Sequence, residues 1–203
     1  MLQIKLRSYR LTKVKICGLS TRESVQQSVE SGADYIGFVF ASSKRQVSLE
    51  KAHKLVKGLP DSVQVVGVFV SPTMDQLREA VRMVPLDLIQ VHGDFDDNFF
   101  DQLEVPAIRA LQITSETQSI DSKADFLLFD APLAGSGQTF DWELLKNKKI
   151  SKPFFIAGGL TTENVVEATD FFHPYALDVS SGVETDGHKD LEKISRFIES
   201  VKK

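Results

Sequence analysis

The residues best suited to chemistry stand beside glycines, at the ends of short apolar runs. Cys17, the single cysteine, closes Val14-Lys15-Ile16-Cys17 and precedes Gly18. A thiol next to a glycine and a helix start suits work as a base or nucleophile, because a helix N-terminus lowers a thiol pKa. The same residue also reads as a small buried hydrophobe. Asp130 ends Phe126-Leu127-Leu128-Phe129. A carboxyl placed there is either a loop cap or lysine partner, or a general acid whose pKa an apolar pocket raises. Two glycine-bearing stretches follow, Ala157-Gly158-Gly159 and Ser180-Ser181-Gly182. Glycines let the backbone approach a ligand, their N–H groups can face an anion, and serine hydroxyls add donors. Gly135-Ser136-Gly137 reads as part of a loop over the ligand. Arg45, in Ser42-Ser43-Lys44-Arg45, is either a solvated loop residue or a bidentate clamp on a substrate carboxylate. Asp178 either accepts from a substrate N–H or O–H or partners another group inside the fold. His92 reads better as a structural imidazole than as a catalytic one. The spacing as a whole points to a small phosphorylated substrate and acid–base chemistry by Cys17 and Asp130. No His and carboxylate pair has metal-ligand spacing, so no metal and no cofactor are expected.

Such residues need a scaffold that brings strand ends together. Strands are expected at Val14–Cys17, Tyr35–Phe40, Gln64–Val70, Leu88–Val91, Ala107–Leu111, Phe126–Asp130, Phe154–Ala157 and Tyr175–Val179. Most are continuous apolar runs, as parallel strands covered on both faces should be. Between them lie helix signals. Ser20 and Glu23 have capping-box spacing, and Ser71-Pro72 places a cap before a first-turn proline. Gly32 and Gly58 stop the first two helices, and Leu191, Ile194, Phe197, Ile198 and Val201 stripe a last one. The sixth helix has room for little more than Glu143–Lys146. Eight strand–helix units predict an α/β fold, a single (β/α)8 barrel over 13–203. Residues 1–12 form an N-terminal extension without an assigned role. A doubly wound open sheet is the competing architecture, but Cys17-Gly18-Leu19-Ser20 is not its glycine fingerprint. In either architecture ligands gather at the carboxyl ends of the strands.

Composition narrows the classes. Lys and Arg total 24 against 28 Asp and Glu, a net charge of −4, which argues against an electrostatic grip on nucleic acid. One cysteine excludes an internal disulfide framework. No apolar run is long enough for a membrane span, and Met1 to Tyr9 lack the core of a signal peptide. A cytoplasmic setting is expected, as a monomer or homodimer.

Several stretches resemble phosphoribosylanthranilate isomerases. They are Val14-Lys15-Ile16-Cys17-Gly18, Ala33 to Phe40, Gly67-Val68-Phe69-Val70, Gln90-Val91-His92-Gly93, Gly135 to Trp142 and Leu177 to Glu184, in order along the chain. The resemblance implies a (β/α)8 barrel that carries out an Amadori rearrangement in tryptophan biosynthesis, without metal or organic cofactor. The substrate would be N-(5′-phosphoribosyl)anthranilate and the product 1-(2-carboxyphenylamino)-1-deoxyribulose 5-phosphate. It further implies Cys17 as general base, Asp130 as general acid, Arg45 on the anthranilate carboxylate and Asp178 near the anthranilate nitrogen. Gly158, Gly159, Ser180, Ser181 and Gly182 would cradle the phosphate. The chain departs from the family pattern at Ala134-Gly135, usually Gly-Gly, and at Gln46, where an aromatic residue often stands. Another phosphosugar isomerase or epimerase, or a phosphometabolite-binding barrel without catalysis, are the competing functions. The first would want metal ligands on several strand ends, and the second would not need both Cys17 and Asp130.

Overall fold

The eight runs of β-branched and aromatic residues become eight parallel strands. The computed structural model describes residues 12–115, 118–131, 141–146 and 148–203. Its strands are β1 (Lys13–Cys17), β2 (Tyr35–Val39), β3 (Gln64–Val70), β4 (Leu88–His92), β5 (Ala107–Gln112), β6 (Phe126–Asp130), β7 (Phe154–Ile156) and β8 (Ala176–Val179). Each pairs with the next, and β8 returns to β1 to close a barrel. The open sheet is thereby excluded. A small hairpin of β9 (Glu184–Thr185) and β10 (His188–Lys189) follows β8.

The strands bury both faces, which explains their lack of alternation. Cys17, Tyr35, Val66, Val68, Leu88, Ile108, Ala110, Leu128, Phe155 and Ala176 form one buried cluster inside the barrel. The intervening residues, among them Ile16, Ile36, Phe38, Ile89, Val91 and Phe129, join the helices in an outer core. The helices are α1 (Arg22–Glu30), α2 (Leu49–Leu55), α3 (Met74–Met83), α4 (Glu143–Lys146), α5 (Val165–Phe172) and α6 (Leu191–Lys202). None of the described helices is long and apolar enough to cross a membrane.

Three expectations about the helical layer change. The first cap is Thr21, not Ser20: its side chain accepts from the Ser24 N–H. The third helix starts at Thr73, whose hydroxyl and Gln76 form a reciprocal capping box. Ser71 instead takes a positive φ of 46° and accepts from the Asp94 N–H, tying the loops after β3 and β4 together. The eight helices are also not all present. A 3-10 segment (Asp97–Gln102) follows β4, and no helix stands between β5 and β6 among the described residues. The composition explains both. Asp96 caps the 3-10 segment by accepting from the Asn98 N–H, and after β5 Gln118 accepts from the Thr114 N–H, a side chain taking up a backbone group in a non-helical turn. Gly135-Ser136-Gly137 and nearly all of the 1–12 extension lie outside the described residues.

The amino end of the barrel is sealed by Tyr35, Phe126, Phe155 and Tyr175, whose rings lie edge-on or tilted to one another. A repeated device registers alternate strands there. Asp34, Asp87 and Asp125, each just before an even-numbered strand, accept from the backbone N–H of Val14, Val65 and Ala107 at 2.8, 2.7 and 2.8 Å. Asp125→Ala leaves the buried Ala107 without that partner. A loss of about 1–3 kcal/mol in urea unfolding is expected, with kcat unchanged because the site lies at the other end. An unmoved unfolding midpoint would remove this role from the aspartates.

Candidate active site

At the carboxyl end, β1 presents Lys15 and Cys17 on one face, two residues apart. Lys15 is the register neighbour of Asp178 on β8, and Cys17 that of Gly37 on β2. Lys15 Nζ donates to Asp178 Oδ1 at 2.9 Å, both side chains buried. The missing side chain at Gly37 is what admits this cluster: a Cβ there would fall 2.9 Å from Cys17 Sγ and 3.3 Å from Lys15 Cε. The Ser180 hydroxyl donates to the Cys17 carbonyl at 3.1 Å, fastening the end of β8 to the end of β1.

Burial pushes the Cys17 thiol above its ordinary range; Asp178 adds to this, while Lys15 and Lys189 oppose it. The expectation of a lowered thiol pKa is therefore reversed in the free protein, because desolvation of the sulfur outweighs its positive neighbours. Burial also acts on Asp130, as expected. Together with the charge of Asp178, it raises that carboxyl to about 6, against a weaker pull from the Ala131 N–H and Lys15. Asp130 Oδ1 accepts from the Ala131 N–H at 2.8 Å. Gly158 serves Asp130 directly, since a Cβ there would lie 2.4 Å from the Ala131 nitrogen and 2.9 Å from Asp130 Oδ1. Asp130 and Cys17 sit three strands apart round the barrel, so they approach the lumen from different sides.

His92 is held neutral. Burial, then the charges of Lys15 and Arg109, lower it to about 4, and its Nε2 lies 2.8 Å from Gln90 Nε2. That agrees with a structural imidazole.

Arg45 is not a free loop residue. Its Nε and Nη2 donate to the two carboxylate oxygens of Glu184 at 2.6 and 2.9 Å. Burial alone would raise the Glu184 carboxyl, but the bonds from Arg45 and Lys189 outweigh it and hold it at about 2. Lys189 Nζ also donates to the Ser180 carbonyl at 2.8 Å. Gly18, at φ 74°, packs against this arginine: a Cβ would fall 2.6 Å from Arg45 Cδ.

The two glycine loops meet. A Cβ on Gly182 would come within 1.8 Å of the Leu160 carbonyl oxygen, so only glycine allows the loop after β8 to lie on the loop after β7. Gly158 and Gly159 both have positive φ, 79° and 66°. The Asn164 side chain braces this turn, donating to the Gly159 carbonyl and accepting from the Thr161 N–H. Ser181 and Gly182 form a single 3-10 turn with Val183.

The residues singled out from sequence thus collect at one end of the barrel: Cys17, Asp178 and Ser180 across β1 and β8, Asp130 with Gly158, and Gly159 close to Gly182. Sequence reasoning missed Lys15, Gly37, Glu184 and Lys189. Lys15 carried a readable signal, a lysine two places before Cys17 on an apolar strand. Glu184 and Lys189 did not, since nothing local marks a loop carboxylate as the partner of an arginine 139 positions away.

A closed eight-stranded barrel with its ionisable groups gathered at the carboxyl end is the architecture of a (β/α)8-barrel enzyme. Residues 14–200 match the family model described as N-(5'phosphoribosyl)anthranilate (PRA) isomerase, and the chain belongs to that family. A relative from Streptococcus mutans, an N-(5'-phosphoribosyl)anthranilate isomerase, is 64% identical over 193 residues, 95% of this chain and all of the relative. The crystal structure of the phosphoribosyl anthranilate isomerase from Thermus thermophilus is similar with a TM-score of 0.87 at 29% identity, covering 93% of this chain and 98% of the other. Another solved isomerase, 34% identical with a TM-score of 0.81, covers 94% of this chain and 98% of its own. It is in complex with reduced 1-(o-carboxyphenylamino)-1-deoxyribulose 5-phosphate. The activity is accordingly the isomerisation of N-(5′-phosphoribosyl)anthranilate to 1-(2-carboxyphenylamino)-1-deoxyribulose 5-phosphate, a step of tryptophan biosynthesis.

Proposed function

We propose that this chain performs the rearrangement with Asp130 as general acid and Cys17 as general base. Asp130 gives its proton to the furanose ring oxygen as the bond from C1′ to that oxygen breaks. The open chain is an iminium at C1′, which acidifies the C2′ proton. The Cys17 thiolate takes that proton, and the resulting enolamine becomes the ketone as C1′ is protonated and the 2′-hydroxyl gives up its proton. Two protons enter, at the ring oxygen and C1′, and two leave, from C2′ and the 2′-hydroxyl, so the reaction is an internal redox isomerisation. The observation that carries this reading is the Asp130 carboxyl. Raised to about 6, it keeps a protonated fraction available near neutrality, and it stands three strands round the barrel from the thiol.

Arg45 holds the anthranilate carboxylate in this reading. Its guanidinium uses Nε and Nη2 on Glu184, which leaves the edge formed by Nη1 and Nη2 for a second carboxylate. Asp178 keeps one oxygen on Lys15 and offers the other to the anthranilate N–H. Gly158, Gly159, Ser180, Ser181 and Gly182 enclose the phosphate between the loops after β7 and β8, where barrels commonly build such sites. Ser180 contributes mainly by holding that loop on β1, since its hydroxyl already donates to Cys17.

The test is turnover of freshly made phosphoribosylanthranilate, followed by loss of anthranilate fluorescence, with and without a chelator. Turnover that resists the chelator is expected. A folded protein that binds a product analogue without turnover, or one that a chelator silences, would overturn the assignment.

A further inference from the structure

Lys15 is the buried charge that this scheme leaves unused. Its side chain is fully enclosed, yet it carries an ammonium on a strand whose other buried residues are Val14, Ile16 and Cys17. An apolar side chain of similar volume would be cheaper to bury than a charge pair, so stability alone does not account for a lysine here. Lys13 offers a contrast. It lies on the same face one turn of the pleat lower, is only partly buried, and rests over the Tyr35 and Tyr175 rings at 5.3 and 5.0 Å. Lys15 instead sits between Asp178 and the Cys17 sulfur, in space that Gly37 leaves open.

We propose that Lys15 is a positioning residue of the isomerisation, whose ammonium fixes Asp178 and supplies the positive charge beside which the Cys17 sulfur bears its negative one. The inference rests on the reading of Cys17 as the base. The titratable and charged groups around this pair are Asp178 from β8, Asp130 from β6, the neutral His92 from β4, Lys189 from β10 and Arg45 from the loop after β2. Burial alone would lower the Lys15 ammonium, but Asp178 and Cys17 outweigh it, so Lys15 stays charged. At the sulfur its attraction exceeds the repulsion of Asp178. Removing Lys15 therefore raises the thiol. Lys15 also lowers Asp130. Without it both groups titrate at higher pH, and the active window moves in the alkaline direction.

Because Cys17 is the only cysteine, its ionisation can be read without substrate, by thiolate absorbance and by the pH dependence of iodoacetamide alkylation. In Lys15→Met, alkylation near neutral pH is expected to slow about tenfold or more, one pKa unit being a factor of ten. Its kcat should fall with KM little changed, and both limbs of the pH–rate profile should move upward. Lys15→Arg, which keeps the charge, should hold the thiol titration near wild type. Asp178→Asn should move the thiol the opposite way, towards acid. A folded Lys15→Met with an unmoved thiol titration, or a moved titration with undiminished turnover, would overturn the proposal. Should Lys15→Met fail to fold, Asp178→Asn decides: an acid shift supports the coupled cluster and an unmoved thiol overturns it. Full activity in Cys17→Ala is a separate failure, that of the base assignment itself.

Discussion

Cys17→Ala is expected to reduce kcat by about 10²–10⁴-fold, the range typical of a lost general base, with KM close to wild type. The alanine deletes one sulfur from a wall otherwise made of Lys15, Gly37 and the Ser180 contact; Lys15 keeps its bond to Asp178, and Ser180 keeps the backbone carbonyl of residue 17. The binding proposed for the arginine and the glycine loops is left alone, so the loss should fall on the chemical step. Cys17→Ser tests the same point more sharply. It keeps size and polarity but substitutes a hydroxyl that will not ionise at working pH, so it should be nearly as inactive as alanine. A serine variant with wild-type kcat would show that the thiol is not the base. The measurement is steady-state fluorescence turnover, with thermal unfolding recorded alongside to show that each variant is folded.

The same cluster shows what the sequence carries and what it does not. A covered parallel sheet was legible because the apolar runs are continuous, and the count of eight units favoured a barrel over the open sheet; the pairing of β8 with β1 decides between them. The buried setting of Asp130 and the upward shift of its carboxyl were legible for a related reason: the residue ends the apolar run Phe126-Leu127-Leu128-Phe129. The direction of the Cys17 shift was not legible. It depends on how desolvation compares with Lys15 and Lys189, and that balance exists only once β1, β8 and β10 are packed together. Arg45 likewise read as either a solvated loop residue or a clamp, because the Glu184 carboxylate that engages it arrives from the other end of the chain. Gly158 looked like an anion-binding glycine, and its clearest local duty is to leave room for Asp130 and Ala131. Close approaches of this kind leave no trace in spacing. The caps at Thr21 and Thr73 were displaced by one or two residues because several hydroxyls stand near each helix start, and strand exit geometry selects among them.

Asp130→Asn is expected to cost about 10²–10⁴-fold in kcat, and it should also change the shape of the pH profile. In the proposed scheme the working pair needs Asp130 protonated and Cys17 ionised. Asp130 titrates at about 6, while burial holds the thiol above its ordinary range. Between those two points the pair binds one proton in total, resting mostly on sulfur, and the productive arrangement is its minor tautomer. Below about 6 a second proton arrives, Cys17 cannot be freed while the acid keeps its own, and the rate falls. Above the thiol pKa both protons are gone and the rate falls again. The acid limb of the bell therefore belongs to Asp130 although Asp130 is the acid, and the alkaline limb belongs to Cys17 although Cys17 is the base. Asparagine removes the first of these groups. The residual activity of Asp130→Asn should lack the limb near 6 and rise with pH as Cys17 ionises, reaching a plateau where wild type declines. Retention of the limb near 6 in the variant would assign it to another group and detach the acid step from Asp130. Loss of the limb together with a rising alkaline plateau would fix both ionisations to the two residues that face the lumen from β6 and β1.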